Sequence, residues 1–267
     1  MTVPDHLIDE AAKRLEEAYA TRSPCAPIRD LIGETDIAAA YAVQQRQTDH
    51  RTAAGARVVG RKTGLTNKAV QAQLGVDQPD FGVLFDDMDV TAEPEVPSIR
   101  LLQPKAEAEI AFVLGADLTD GDLDIGQCRD AVEYAVAALE IVDSRVAAWD
   151  IKITDTVADN ASSGLFVLGD RKVPLSAFEP VEATMQMHLD DKLVSEGTGA
   201  ACLGDPLLAL SWLAQIARDY GQPLTAGQVV LSGALGPMRD APPGCTVRAE
   251  ISTLGQVTAH FSTLEDE

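Results

Sequence analysis

The chain has 267 residues, 46% of them hydrophobic, and a formal charge of -21 from 21 Lys+Arg against 42 Asp+Glu. That length buries a sizeable core, and such acidity repels phosphate backbones and anionic lipid surfaces, which weighs against nucleic-acid and membrane partners. No run approaches the ~18 uninterrupted apolar residues of a membrane span. The opening "MTVPDHLIDEAAKRL" lacks a signal peptide's apolar core, so a cytoplasmic location is expected. Cys25, Cys128, Cys202 and Cys245 are widely spaced without a CxxC pairing, which suggests neither a zinc site nor a disulfide framework.

Residues 6–20 set Leu7, Ile8, Ala11, Leu15, Ala18 and Tyr19 on one helical face before "TRSP" breaks the pattern. A second helix is expected from Thr35 as N-cap, with Ile37, Ala40 and Tyr41 as its apolar stripe and Gly55 near its end. From Val58 the texture is loop-rich, punctuated by Gly60, Gly64, Gly75 and Gly82. After Pro94, β-type runs are expected near 107–114, 139–145, 164–169, 183–189, 228–235, 245–252 and 256–262. Two helices interrupt them. One covers roughly 125–138 and feeds into the strand with Glu140; the other is "DPLLALSWLAQIARDYG", with Asp205 as N-cap, Pro206 at the first helical position and Gly221 as stop. Many strands and few helices after residue 90 point to an α+β protein built on a β-rich core.

Within "QPKAEAEIAFVL", residues 103–114, strand alternation puts Glu107 and Glu109 on one face with Ala111 and Val113. Two carboxylates held beside packed surface are costly unless a cation neutralises them or one binds a proton. A third carboxylate, Glu140, sits in the comparably apolar "AVAALEIVDSR". Three carboxylates without Cys or His suit a hard ion, Mg²⁺ or Mn²⁺ more than Zn²⁺. E-x-E is also common on solvated strand faces. By spacing alone Lys62 reads as a solvated lysine, Asp80 as a turn residue beside Pro79, and "DTVADNASSG" as a turn with local side-chain caps.

Four segments, "GRKTGLTNKAVQAQLGVDQPDFGVLFDDM", "LQPKAEAEIAFVL", "ALEIVDSRVAAWDIKITDTVADNASSG" and "LSGALGPM", taken together resemble the fumarylacetoacetate hydrolase superfamily, and within it the 2-keto-4-pentenoate hydratases of aromatic meta-cleavage pathways. They occur in the family's order from residue 60 to 238, so the resemblance covers nearly the whole chain. It implies a fumarylacetoacetase-like core of mixed β-roll type over 89–267, preceded by a helical portion and active-site loop over 1–88. It implies further that Glu107, Glu109 and Glu140 hold Mg²⁺ or Mn²⁺, that Lys62 and Asp80 act in the pocket, and that Ser162 hydrogen-bonds the substrate. Leu74 and the Ser232, Gly233 and Ala234 segment would line that pocket. The implied substrate is a small 2-hydroxy-dienoate, hydrated by way of its 2-oxo-3-enoate tautomer to a 4-hydroxy-2-oxo acid. A homo-oligomer, and association with a neighbouring pathway enzyme, are expected on the same ground.

One departure is visible: where relatives commonly read "LGHP" this chain has "LGDP", with Asp205 in the histidine's place, so no role resting on that histidine carries over. None of His6, His50, His188 or His260 falls in a matched motif. Competing expectations are a 4-oxalocrotonate decarboxylase using the same electron sink, a non-catalytic metal-binding partner subunit, and hydrolysis of a 1,3-diketone, which would need a clearly placed base. A dioate substrate would call for an extra cationic group in the pocket, and no added arginine is obvious in the matched segments.

Overall fold

The computed structural model describes residues 3–67, 71, 76 and 78–264. Helix α1 (Asp5–Thr21) buries Ile8, Ala11, Ala12, Leu15 and Ala18, the apolar stripe visible in its sequence, against α3 (Ile37–Ala53). A short α2 (Arg29–Ile32) lies between them. The N-cap of α3 is Asp36 rather than Thr35, its carboxylate accepting the Ala39 amide at 3.0 Å.

The stretch after Val58 is not loop throughout. It forms β1 (Val58–Gly64) and β2 (Asp80–Phe85), an antiparallel pair, and β1 also pairs in parallel with β8 (Val229–Ala234). Gly60 and Gly82, which read as loop punctuation, mark close approach of backbones instead: a Cβ at Gly60 would lie 1.9 Å from the Val229 carbonyl oxygen, and one at Gly82 2.4 Å from that of Asn160. Leu74 lies outside the described residues.

Strand β3 (Lys105–Leu114) follows, then α4 (Ile125–Ala131) and β4 (Val132–Val142). The helix expected over 125–138 therefore stops at Ala131. From Val132 onward, Tyr134 and Val136 pair with Val113 and Ala111 across β3, and β-favouring residues in a central ladder override the helical period. Helix α5 (Ile153–Ala158) and β5 (Ser163–Leu168) come next. Then come β6 (Thr184–Leu189), β7 (Lys192–Thr198) and α6 (Pro206–Asp219), and after β8 the short β9 (Arg239–Asp240), β10 (Thr246–Ile251) and β11 (Gly255–His260).

Among the described residues these strands make two sheets. One has seven strands ordered β2-β1-β8-β3-β4-β5, with β9 pairing β3; the other is β11-β10-β6-β7, and its β10 and β11 pack on β4. Strands from before and after residue 88 thus share one sheet. This is the α+β, β-rich architecture with a helical N-terminal region that the sequence suggests.

Asp205 caps α6 by accepting the Leu207 amide at 2.8 Å, with Pro206 at the first helical position. The stretch Gly199–Asp219 is apolar and long enough by composition to cross a membrane, yet Leu207, Leu210, Leu213 and Ala214 are fully buried in the protein core.

Candidate metal centre and active site

The seven-stranded sheet curls, and the face of β3 that carries Glu107 and Glu109 builds the site. In the β3–β4 ladder Glu107 stands directly opposite Glu140, while Glu109 faces Ala138 one step along the same face. Carboxylate oxygens of Glu107, Glu109 and Glu140 all lie within 4.8 Å of one another. Glu109 and Glu140 are buried, and Glu107 opens on a cavity of about 690 Å³.

Lys62 on β1 reaches this cluster, its Nζ 3.1 Å from Glu140 Oε1. In a flat sheet β1 and β4 would stand roughly 14 Å apart, three strand spacings, so the contact depends on the curl. Lys62 and Asp80, solvated lysine and turn residue by spacing, are 3% and 1% exposed. Gly64 sits directly across the ladder from Asp80 and leaves room for it: a Cβ there would be 2.2 Å from Asp80 Oδ1 and 3.4 Å from Lys62 Nζ.

Charges packed this closely alter one another. Burial, with the Glu140 charge behind it, pushes the Glu107 carboxyl up to about 7. Glu109 is held well above the carboxylate range by burial and by Glu140 and Glu107. Burial raises Asp80 to about 6 against the opposing pull of Lys62. For Lys62, burial alone would favour the neutral amine, but Glu140, Asp80, Glu107 and Glu109 together hold it above its usual range.

Hydrogen bonding leaves a specific deficit. Glu109 Oε2 accepts the Gly233 amide at 2.8 Å, while Glu109 Oε1, Glu140 Oε2 and Asp80 Oδ1 are buried without a hydrogen-bond partner and Glu140 Oε1 has only the ion-pair contact with Lys62. Such orphans are costly. Three converging carboxylates with unfilled oxygens and no Cys or His fit a hard divalent cation.

Strand β8 contributes through an irregularity. Between the Ala111↔Leu231 and Glu109↔Ala234 pairs β8 carries one residue more than β3. There Gly233 adopts φ 110, a conformation open to glycine, and its amide turns from the ladder to Glu109. Ser232 is fully buried beneath, its hydroxyl 3.3 Å from the Gly233 carbonyl and its carbonyl accepting the Cys202 thiol, so of Ser232, Gly233 and Ala234 only Ala234 lines the cavity.

The opposite wall comes from "DTVADNASSG", which is α5 and a left-handed turn rather than a loop of local caps. Asn160, Ala161 and Ser162 have φ of 54, 51 and 54, an uncommon run for residues with side chains. The turn is over-determined from outside. Asn160 binds both the amide and the carbonyl of Val83, at 2.7 and 2.9 Å, and Asp159 pairs with buried Arg145, whose Nη2 also donates to the Asp159 carbonyl. Asp155 points away from the cavity and receives the Ile28 and Arg29 amides. Ser162 lines the cavity, its Oγ 3.3 Å from that of Thr156, which in turn hydrogen-bonds Asp80.

Sequence reasoning overlooked several lining residues, among them Thr156, Trp149, Ile151, Met238 and Lys105. Lys105 was legible, because the alternation that groups Glu107 with Glu109 places Lys105 on the same face.

A family model described as fumarylacetoacetate (FAA) hydrolase C-terminal matches residues 42–262. A "TodF product hydratase" of Pseudomonas putida is 52% identical over 255 residues, covering 96% of this chain and 95% of the relative. "2-Keto-4-pentenoate hydratase 2" of Dechloromonas aromatica is 51% identical, covering 95% of this chain and 97% of its own. Among solved structures, 4-oxalocrotonate decarboxylase from Pseudomonas putida, complexed with magnesium and adipate, superposes with a TM-score of 0.91 at 31% identity, covering 97% of this chain and 99% of that one.

Proposed function

The chain belongs to the fumarylacetoacetate hydrolase family, and on that premise we propose that it hydrates 2-hydroxypenta-2,4-dienoate to 4-hydroxy-2-oxopentanoate in aromatic meta-cleavage catabolism. Relatives of about half identity over nearly full length carry hydratase names, which makes the chain an enzyme of the hydro-lyase class. The observation that carries the reading is the convergence of Glu107, at the cavity, with buried Glu109 and Glu140, whose oxygens include unpartnered ones, set beside Lys62 and Asp80.

The reaction has two parts. The dienol loses its hydroxyl proton and gains one at C5, giving the 2-oxo-3-enoate; water then adds across C3 and C4, hydroxyl to C4 and hydrogen to C3. Glu107, Glu109 and Glu140 would hold a divalent cation, Mg²⁺ or Mn²⁺, which when bound would supply Lewis-acid polarisation of the 2-oxo acid and so make C4 electrophilic.

The protein's own groups account for the rest. Lys62, held protonated by four surrounding carboxylates, presents fixed positive charge where the 2-oxo oxygen gains electron density. Asp80, pushed up to about 6, exchanges a proton close to neutral pH, which supports a role for it in deprotonating water or returning a proton to carbon. The Ser162 and Thr156 hydroxyls offer hydrogen bonds to substrate oxygen. Val142, Trp149, Ile151 and Ala161 form apolar walls that limit stray water.

Chelator-stripped protein mixed with freshly generated dienoate tests this directly. Loss of dienol absorbance only after Mg²⁺ or Mn²⁺ is restored, with a product one water heavier, is the expected result; no turnover under those conditions overturns it. The likeness to the decarboxylase structure supports one alternative, release of CO₂ from 4-oxalocrotonate, which the same assay separates by CO₂ detection. A homo-oligomer, a cytoplasmic location and association with a neighbouring pathway enzyme belong to the same proposal, and light scattering of the purified chain tests the first.

A further inference from the structure

Lys105 shares the face of β3 that carries Glu107 and Glu109; it lines the same cavity, stands about 7 Å along the strand from Glu107, and is the more solvent-exposed of the two. Its ammonium lies 2.5 Å from Oδ1 of Asp240, its cross-strand neighbour on β9, and 5.4 Å from the centre of the Trp149 ring. Among the described residues lining the cavity, Lys62 and Lys105 are the cations, Lys62 the more deeply buried and Lys105 the nearer to solvent. They differ in how firmly they are engaged. Lys62 is buried among four carboxylates, whereas Lys105 is 23% exposed and its partner Asp240 is 80% exposed. An ion pair with so wet a partner is modest, so a carboxylate arriving in the cavity can displace Asp240, but only at a few-fold cost in affinity that an uncharged chain end does not meet.

We propose that Lys105 and Asp240 form a charge filter at the cavity mouth, which sets preference at the end of the substrate remote from its 2-oxo acid. Lys105 faces that distal end, and Asp240 neutralises it. A chain ending in a methyl or methylene group therefore loses nothing at the mouth, while one ending in carboxylate must first displace Asp240 and then meets Glu107 on the same face. The proposal rests on the 2-oxo-acid reading of the cavity and names the feature that separates mono- from dicarboxylate substrates within it.

The test compares two ligands of equal length, 2-oxoadipate and 2-oxohexanoate, which differ only in carboxylate against methyl at the far end. Binding is measured calorimetrically with saturating Mg²⁺ for the wild type, Asp240→Asn and the double variant Lys105→Met/Asp240→Asn; because Asp240 is exposed, the first substitution leaves the fold intact. Asp240→Asn is expected to bind 2-oxoadipate about fivefold more tightly while 2-oxohexanoate changes less than twofold, and the added Lys105→Met should erase the gain. Equal changes for both ligands, no gain, or no binding of 2-oxoadipate by Asp240→Asn overturns the filter. Turnover of the dienoate is scored separately: a shifted ligand preference in a protein that never turns it over would sink the hydratase reading and leave the filter standing.

Discussion

Glu107 and Glu140 face each other directly across an antiparallel ladder, two carboxylates where a sheet ordinarily places a complementary pair. The arrangement stores repulsion that a cation releases. Glu107→Gln should make chelator-treated protein more heat-resistant, by about 1 kcal/mol, while weakening Mg²⁺ binding about a hundredfold and abolishing metal-dependent turnover. Melting curves with and without Mg²⁺ read both effects at once. A variant that melts lower without metal, or binds Mg²⁺ normally, would remove Glu107 from the ligand set.

Lys62 is the countercharge to that cluster. Lys62→Met should leave Mg²⁺ affinity unchanged or tighter, since a repelling cation has gone, and cut the rate about 10³-fold. The metal-free protein should lose about 3 kcal/mol, because buried carboxylates are left without their partner. Calorimetric Mg²⁺ titration beside initial rates separates these outcomes, and a normal rate would reject the role given to Lys62.

Metal binding should depend steeply on pH. Protons must leave the cluster before a cation enters, and Glu107 holds its proton to about 7. Mg²⁺ affinity should therefore rise between about pH 5 and 8 and level off above. Without metal the sign reverses: a carboxyl raised from 4.5 to about 7 contributes stability below its unfolded value that is lost as pH rises through the folded one. Chelator-treated protein should thus lose the cluster's contribution across that same interval, seen as a pH-dependent melting temperature that Glu107→Gln flattens. An affinity flat from pH 5.5 to 8 would contradict the raised carboxyls.

Gly64 tests Asp80 without touching its charge. Because a Cβ would sit 2.2 Å from Asp80 Oδ1, Gly64→Ala must push that carboxylate aside. A displacement of this size should lower turnover about 10²-fold while Mg²⁺ affinity holds, a separation measured by kcat against the metal-binding isotherm. Unchanged kcat would show that the position of Asp80 is immaterial to the reaction.

What could be read from the sequence follows the range of the interactions involved. The stripe of α1, the Asp205 cap and the shared face of Glu107 and Glu109 are fixed by neighbours a few residues away, and each was visible. The meeting of Glu109 with Glu140, and of both with Lys62, depends on strand order and sheet curl, which no local period encodes. Strands β1 and β2 were hidden because their glycines serve close packing between backbones. The helix over 125–138 was overextended because Val132–Val142 follows its ladder in preference to its period. The place of Lys105 beside Glu107 and Glu109 is legible in the same strand alternation, whereas its partner Asp240 depends on strand pairing that the sequence does not show.

The turn that carries Ser162 is held from two directions. Asn160 clasps Val83, and in the adjoining α5 Asp155 takes the amides of Ile28 and Arg29 together with the Arg29 guanidinium. Gln44 of α3 adds bonds to the carbonyls of Phe81 and Val157, each at 2.9 Å. The N-terminal helices are thereby a buttress for the cavity rather than an appendage. Amide exchange should show α3 and residues 153–162 opening together with one protection energy; independent opening would mean the cavity stands without them. A buttress of this kind makes residues 3–50 answerable for the shape of a cavity that, among the described residues, they do not line.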